Sequence, residues 1–476
     1  MSWSSRMPIV VGAALLTGLS ATLVGSPAQA ATPATAKVSG RTVLYTAAKG
    51  QQNKVVVTVS GRTVTIDDRV AIKAGKGCKK VKGDKTKVRC TTKKAPTWLD
   101  IYTGTRNDSI VNKTGIRMTA DGGSGNDSIT GGSAADYLSG GTGNDKIWGQ
   151  GGNDYVTGNS GNDRLSGGNG NDTVFGNTGH DGVNGDNGRD LLGGGAGNDR
   201  FSGGAGDDVI GWDDTDVSGA DNDVYSGGTG FDLLDAYKYY KHAVRIDIDG
   251  GADDGKSGEK DNVRTDIENI LGSPKNDRIY GSNRGEYLDG GAGNDTIYGN
   301  GGVDQISGSR GADTLDGGAG NDELIGDFPP DGVGADVLRG GAGTDLVNYT
   351  GYTKPVTVDL DGAARDDGQA GEGDTVGTDV ENIYGGEGND RLTGNAAANY
   401  ILGGYGKDTI FGGTGNDELS GDGGNDYIYG EAGDDYLDGT DFGSSAEPDR
   451  LDGGALGDDL CRPWPDDVMV SCESVV

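Results

Sequence analysis

Gly122-Gly123-Ser124-Gly125-Asn126-Asp127-Ser128-Ile129-Thr130 is followed without a break by a second nine-residue unit, Gly131 to Ser139, and by a third, Gly140-Gly141-Thr142-Gly143-Asn144-Asp145-Lys146-Ile147-Trp148. The register holds as far as Gly211. An Asp stands at every ninth position: Asp127, Asp136, Asp145, Asp154, Asp163, Asp172, Asp181, Asp190, Asp199 and Asp208. Two residues after each comes a bulky apolar residue: Ile129, Leu138, Ile147, Val156, Leu165, Val174, Val183, Leu192, Phe201 and Ile210. Gly at positions one, two and four of the unit allows backbone conformations closed to other residues, so the first six residues suit a tight turn. The last three form a short strand, whose apolar centre and mostly polar neighbours give it one buried face.

One apolar residue in nine cannot build a core alone, so neighbouring units must stack and pool theirs. Stacking aligns the Asp side chains too, and carboxylates a strand spacing apart repel strongly unless something cationic sits between them. Hard oxygen ligands, several carbonyls and no Cys or His nearby select calcium over zinc or copper. The unit GGxGxDxUx, as in Gly122 to Thr130, resembles the nonapeptide of RTX (hemolysin-type) calcium-binding repeat proteins of the exported bacterial type. The resemblance implies an all-β fold, a parallel β-roll (an RTX solenoid) in which successive turns alternate between two edges and two units make one coil. Same-edge neighbours are then eighteen residues apart. On that rule Asp127 and Asp145 share one ion on one edge and Asp136 and Asp154 another on the opposite edge, with turn carbonyls completing each shell.

Beyond Gly211 the register breaks at Trp212 to Val217, and single units return with Asp223 and Asp232. A second block carries Asp277, Asp295, Asp304, Asp313 and Asp322, with Glu286 in place of one Asp; Asp336 and Asp345 follow a longer loop containing Pro329-Pro330. The last block carries Asp390, Asp408, Asp417, Asp426 and Asp435, with Asn399 substituting. The ten Asp of the first run and these two sets of five are the candidate metal ligands. Glu286 and Asn399 keep oxygen donors but depart from the pattern, so weaker or empty sites are expected there. If same-edge neighbours share one ion, the total is roughly sixteen Ca2+, or about +32.

A second level of repetition joins the blocks. Val244-Arg245-Ile246-Asp247-Ile248-Asp249-Gly250 matches Val356-Thr357-Val358-Asp359-Leu360-Asp361-Gly362, and Thr265 to Ile270 matches Thr378 to Ile383. This is an internal duplication with a step of about 113 residues. The alternating apolar residues need a partner face, so these segments are expected to form strands that cap one roll and start the next. Their acidic loops, Asp253-Asp254-Gly255 and Asp366-Asp367-Gly368, suit either further calcium or a solvated surface.

The expected organisation is a signal peptide at 1–30, a basic β-rich N-terminal domain at 31–103, a first roll block at 104–232, an inserted β segment at 233–272, a second block at 273–345, the duplicated insert at 346–384, a third block at 385–439 and a disulfide-bearing C-terminal cap at 440–476. Arg6, the diluted apolar stretch Pro8 to Val24 and the small-residue site Ala28-Gln29-Ala30 read as a secretory leader, which predicts a secreted, extracellular protein beginning near Ala31. No later segment is long and apolar enough to span a bilayer as a helix. Residues 31–100 hold sixteen Lys and Arg against four Asp, a charge of +12, whereas the chain from Ile101 onward carries −46 of an overall −33. Such a head suits an anionic cell-wall or extracellular polymer, or a solvated face. With no nucleic-acid-binding motif and an acidic body that repels phosphate, nucleic acid is not an expected partner. Cys78 and Cys90 flank a Lys-rich segment, and Cys461 and Cys472 lie within the C-terminal segment, so two local disulfides are expected in an exported chain.

The sequence carries no HExxH, no GxSxG elbow and no Walker loop, and its two histidines, His180 and His242, are far apart. His180 takes the fifth position of a unit, where Asn usually stands, and reads as solvent-facing. No segment is large enough for a separate catalytic domain. A non-enzymatic structural or adhesive cell-surface module is therefore expected; the other reading is a polysaccharide-acting enzyme or accessory module with its site on the roll or inserts. The sequence fixes no oligomeric state.

Overall fold

The computed structural model describes residues 32–212, 221–329, 334–440, 447–455 and 457–476. The expected signal peptide lies outside them. Among the described residues there is no helix, and the strands run from Ala34–Ser39 to Ser474–Val475. The chain is an all-β parallel roll. Ile129 pairs with Ile147 and Ile147 with Leu165 in one sheet, while Leu138 pairs with Val156 and Val156 with Val174 in the other. Successive units thus alternate between two sheets, and same-sheet neighbours are eighteen residues apart. The apolar residues of the first ten units point between the sheets, none more than 3 % exposed. Pooling these side chains supplies the core that no single unit has.

The head is built into the same two sheets. Thr42–Thr46 pairs in parallel with Trp98–Tyr102, which pairs in turn with Arg117–Ser124. On the other face Lys54–Ser60 pairs in parallel with Ser109–Asn112. Ile72–Ala74 pairs in parallel with Ala34–Ser39, and the other head strands pair antiparallel, among them Cys78–Val81 with Asp84–Thr91, bridged by the Cys78–Cys90 disulfide. The described part of the head, residues 32–103, is therefore hydrogen-bonded into the same sheets as the roll. The physical reason is the first coil, whose open strand edge would otherwise expose a row of backbone donors and acceptors.

The inserts act differently on the two faces. On one face Asn262–Val263 ends the first sheet against Val224–Tyr225, and Val244–Asp247 begins a new one against Arg278–Tyr280. On the other, Leu233–Leu234 pairs directly with Asn269–Leu271, so that sheet passes the insert unbroken. The duplicate repeats both arrangements: Thr375–Val376 closes on Val337–Ala342, Val356–Asp359 opens on Arg391–Thr393, and Leu346–Asn348 pairs with Asn382–Tyr384. The expectation that each insert caps one roll and starts the next holds for one face only.

The nine-residue pattern fades after 439, yet the ladder continues. Arg450–Asp452, Leu460–Arg462, Val468–Val470 and Ser474–Val475 keep parallel pairing with the coils before them. Irregular loop lengths hid these strands from a fixed period. The Cys461–Cys472 disulfide ties the last coil together.

Candidate metal centre

Each repeat Asp ends a turn, and stacking gives it a fixed set of partners. The Asp127 N–H donates to Asp145 Oδ1 at 2.7 Å, and Asp145, Asp163 and Asp181 continue the ladder at 2.7 Å each to Asp199 Oδ1. On the opposite edge Asp136, Asp154, Asp172 and Asp190 donate in the same way, ending on Asp208 Oδ1, at 2.6 to 2.8 Å. The second block runs Asp277 to Asp295 to Asp313 and Glu286 to Asp304 to Asp322. The third runs Asp390 to Asp408 to Asp426 and Asn399 to Asp417 to Asp435. All twenty sequence-predicted Asp positions fall in these ladders, and Asp127 meets Asp145 and Asp136 meets Asp154 as the eighteen-residue rule requires.

One carboxylate oxygen is thus used by the backbone. The other decides the chemistry. Oδ2 of Asp127, Asp145, Asp154, Asp163, Asp172, Asp181, Asp190 and Asp208 is buried and without a hydrogen-bond partner, as it is in Asp295, Asp304, Asp313, Asp322, Asp408, Asp417 and Asp435. A buried acceptor left unmade costs free energy, more so when charged. These oxygens do not stand alone. A Cβ on Gly122 would lie 2.3 Å from Asp127 Oδ2 and 2.7 Å from the Gly140 carbonyl oxygen, and one on Gly149 would lie 2.3 Å from both Asp154 Oδ2 and the Gly167 carbonyl. The first Gly of the unit therefore leaves room where a carboxylate and the carbonyl of the next same-edge turn converge. All donors are hard oxygens, and the set fits calcium.

Three predicted ligands differ. Asp136, Asp277 and Asp390 have their Oδ2 capped by the N–H of Gly132, Ser273 and Gly386, at 2.7, 2.6 and 2.7 Å. Glu286 and Asn399 are capped likewise by Ser282 and Asn395. Backbone conformation makes the difference. In open units the second residue is left-handed, as at Gly141 (φ 108°), Gln150 (φ 78°) and Asn159 (φ 75°), whereas none of the five capping residues has positive φ. All five capped side chains stand first in their ladders, and Asp136, Asp277 and Asp390 accept the N–H of Met118, Val244 and Val356 instead of that of a repeat Asp.

Burial raises the affinity of these carboxyls for protons. It pushes Asp145 up to about 7 and Asp154 up to about 8, with the flanking ladder carboxylates adding to the shift. Asp295 and Asp304 also rise to about 8 for the same reasons. Like charges in a partly dry column favour either protons or a divalent cation between them.

The ladders reach further than the candidate list. Asp199 donates to Asp223 and Asp223 to Asp261; Asp208 donates to Asp232 and Asp232 to Glu268. Asp336, Asp345, Asp374 and Glu381 extend the second block in the same order. Asp449, Asp467, Asp459 and Glu473 extend the third. Asp261 and Asp374 sit in insert loops, 38 residues from their ladder neighbours, so a nine-residue period misses them; their matching places in the duplicated inserts are the available signal. In the acidic loops, Asp254 and Asp367 are buried hairpin anchors that accept the Asp247 and Asp359 N–H groups. Oxygens of Asp359, Asp361 and Asp366 lie within 4.8 Å of one another at the surface. His180 is exposed, and its Nδ1 accepts the Asn198 N–H at 2.8 Å, taking the place of an Asn in an outer ladder of turn side chains.

A parallel β-roll lined on both edges by carboxylate ladders defines the class: a repeat protein built to hold hard cations between its turns. The profile of the RTX calcium-binding nonapeptide repeat (4 copies) matches in overlapping stretches from 121 to 210, 265 to 328 and 377 to 442, and at 217–237 and 331–350, together more than half of the chain. The chain belongs to the RTX calcium-binding repeat family. No curated protein matches it. Among the described residues no helix is long and apolar enough to cross a membrane.

Proposed function

We propose that this chain is an extracellular structural or adhesive module of the cell surface, not an enzyme, whose roll folds as it takes up about sixteen calcium ions. The observation that carries the reading is the row of buried Asp Oδ2 atoms without partners, with a turn carbonyl converging on the same gap at Gly122, Gly149, Gly185 and Gly203. Bound calcium neutralises most of the −46 on the body, so folding and binding are one event. Export through the leader at 1–30 brings the chain to the high calcium levels at which extracellular modules bind.

The basic head supports an attachment role. Lys79, Lys80, Lys82, Lys85, Lys93 and Lys94 are all exposed, a surface suited to an anionic cell-wall polymer. Far-UV circular dichroism of residues 31–476, titrated with calcium and then magnesium, tests the calcium part: a cooperative gain of β signal with calcium alone supports it, and a spectrum already folded in chelator and unchanged by calcium refutes it. Retention on purified cell wall, lost when the six lysines are replaced by Gln, tests the attachment.

A further inference from the structure

The two inserts are copies that differ in charge at several positions, one of them beside buried carboxylates. In the first, Val244 pairs with Lys256 across a short hairpin; in the second, Val356 pairs with Gln369 at the same place. The Lys256 ammonium stands 3.0 Å from Glu259 Oε1 and 5.2 Å from the centre of the Tyr240 ring, and it also acts on the buried Asp221. Around it the Tyr237 hydroxyl donates to Asp261 at 2.8 Å. In the second insert the frame is kept: Tyr349 donates to Asp374 at 3.0 Å and Tyr352 to Glu372 at 2.6 Å. A Cβ on Gly255 would meet Glu259 and Asp261, and one on Gly368 would meet Glu372 and Asp374, at 2.6 to 2.7 Å in both copies. The Lys256 ammonium has no counterpart in this frame, since Gln369 stands at its place.

Four carboxyl groups gather there. Asp327, Asp336, Glu372 and Asp374 are at most 7 % exposed, and among the described residues none of them has an ion pair with a Lys or Arg. Asp327 Oδ1 and Asp336 Oδ2 are buried without partners. The Asp327 carboxyl lies against that of Glu372, close enough for a shared proton, and Asp374 and Asp327 both act on Asp336. A buried cluster of this kind needs protons or a cation.

We propose that the second insert holds a hard divalent cation, calcium, among Asp327, Asp336, Glu372 and Asp374, in the place that the Lys256 ammonium fills in the first insert. Asp336 and Asp374 belong to a ladder, whereas Asp327 and Glu372 lie off the turn-to-turn series and set this site apart from the ladder sites. The surface loop shows the same exchange: Arg245 pairs with Asp247 at 2.6 Å in the first copy, and Thr357 stands at its position in the second.

Native mass spectrometry of residues 31–476 in calcium counts bound ions in the wild type, Gln369→Lys and Lys256→Gln. The expected result is one ion fewer in Gln369→Lys and one more in Lys256→Gln, with far-UV spectra in calcium equal to the wild type. Counts equal to the wild type in both variants overturn the proposal while leaving the ladder sites standing; a wild-type count of only one or two ions would instead refute the ladder reading. Should Gln369→Lys fail to fold, Lys256→Gln carries the test alone: a gain of one ion supports the site, and an unchanged count overturns it.

Discussion

Replacing Asp163 by Asn separates the two oxygens of one ladder carboxylate. Asn keeps Oδ1, which accepts the Asp145 N–H at 2.7 Å, and leaves the Asp163 N–H free to donate to Asp181 at 2.7 Å. What it removes is Oδ2, buried and without a partner. If Asp163 shares one ion with Asp145 and another with Asp181, two sites are damaged. An ion held at 100 times its dissociation constant contributes about 2.7 kcal/mol, so Asp163→Asn costs about 3 to 5 kcal/mol in saturating calcium at pH 7.5. In chelator at pH 3 the balance differs. Burial raises Asp163 to about 6 and the unfolded Asp titrates at about 3.9, so the carboxyl is neutral in both states, and exchange of a neutral acid for a neutral amide changes stability by less than about 1 kcal/mol. Urea unfolding of both chains, followed by far-UV circular dichroism under the two conditions, gives both numbers. Equal losses with and without calcium would refute the reasoning and leave Asp163 as a backbone anchor only.

Other outcomes follow from the same geometry. Gly179 has φ 136° and an added Cβ would lie 1.9 Å from the Gly161 carbonyl oxygen, so Gly179→Ala lowers stability by about 3 kcal/mol or more. Gly182 has only the Asp163 carbonyl at 3.9 Å and no positive φ, and Gly182→Ala raises stability by about 0.4 to 1 kcal/mol; thermal unfolding in calcium compares the pair. In chelator, the carboxyls pushed up to about 7 or 8, Asp145, Asp154, Asp295 and Asp304, bind protons more tightly in the folded chain than the ordinary Asp value of about 3.9 allows when unfolded. Their contribution is therefore complete below about pH 4 and is lost as pH rises through about 7 to 8, so metal-free thermal stability falls across that range; a rise would contradict the assignment. Replacing Cys461 and Cys472 by Ser opens a cross-link between residues 11 apart and costs about 3 kcal/mol. Hydrogen exchange places that loss in the strands after 450 and leaves the first block unchanged.

The nine-residue period by itself determined the roll. An apolar residue in each unit forces units to pool a core, and an Asp in phase with it forces carboxylates into columns, so stacking and the hard-cation chemistry follow from spacing; the parallel strand direction and the eighteen-residue register are what the resemblance to the RTX nonapeptide implies. Local disulfides followed from the short separations of the cysteines. Tertiary structure alone decided where the period stops being a guide. It joined the head to both sheets, carried one sheet past each insert, and brought Asp261 and Asp374 into ladders across 38 residues, because backbone pairing depends on which edge is open and not on distance along the chain. It also divided like from like. Asp127 and Asp136 occupy the same position of the same unit, yet a second-residue N–H caps Oδ2 of Asp136 and none reaches that of Asp127, since the hand of one backbone torsion aims that donor toward the carboxylate or away from it.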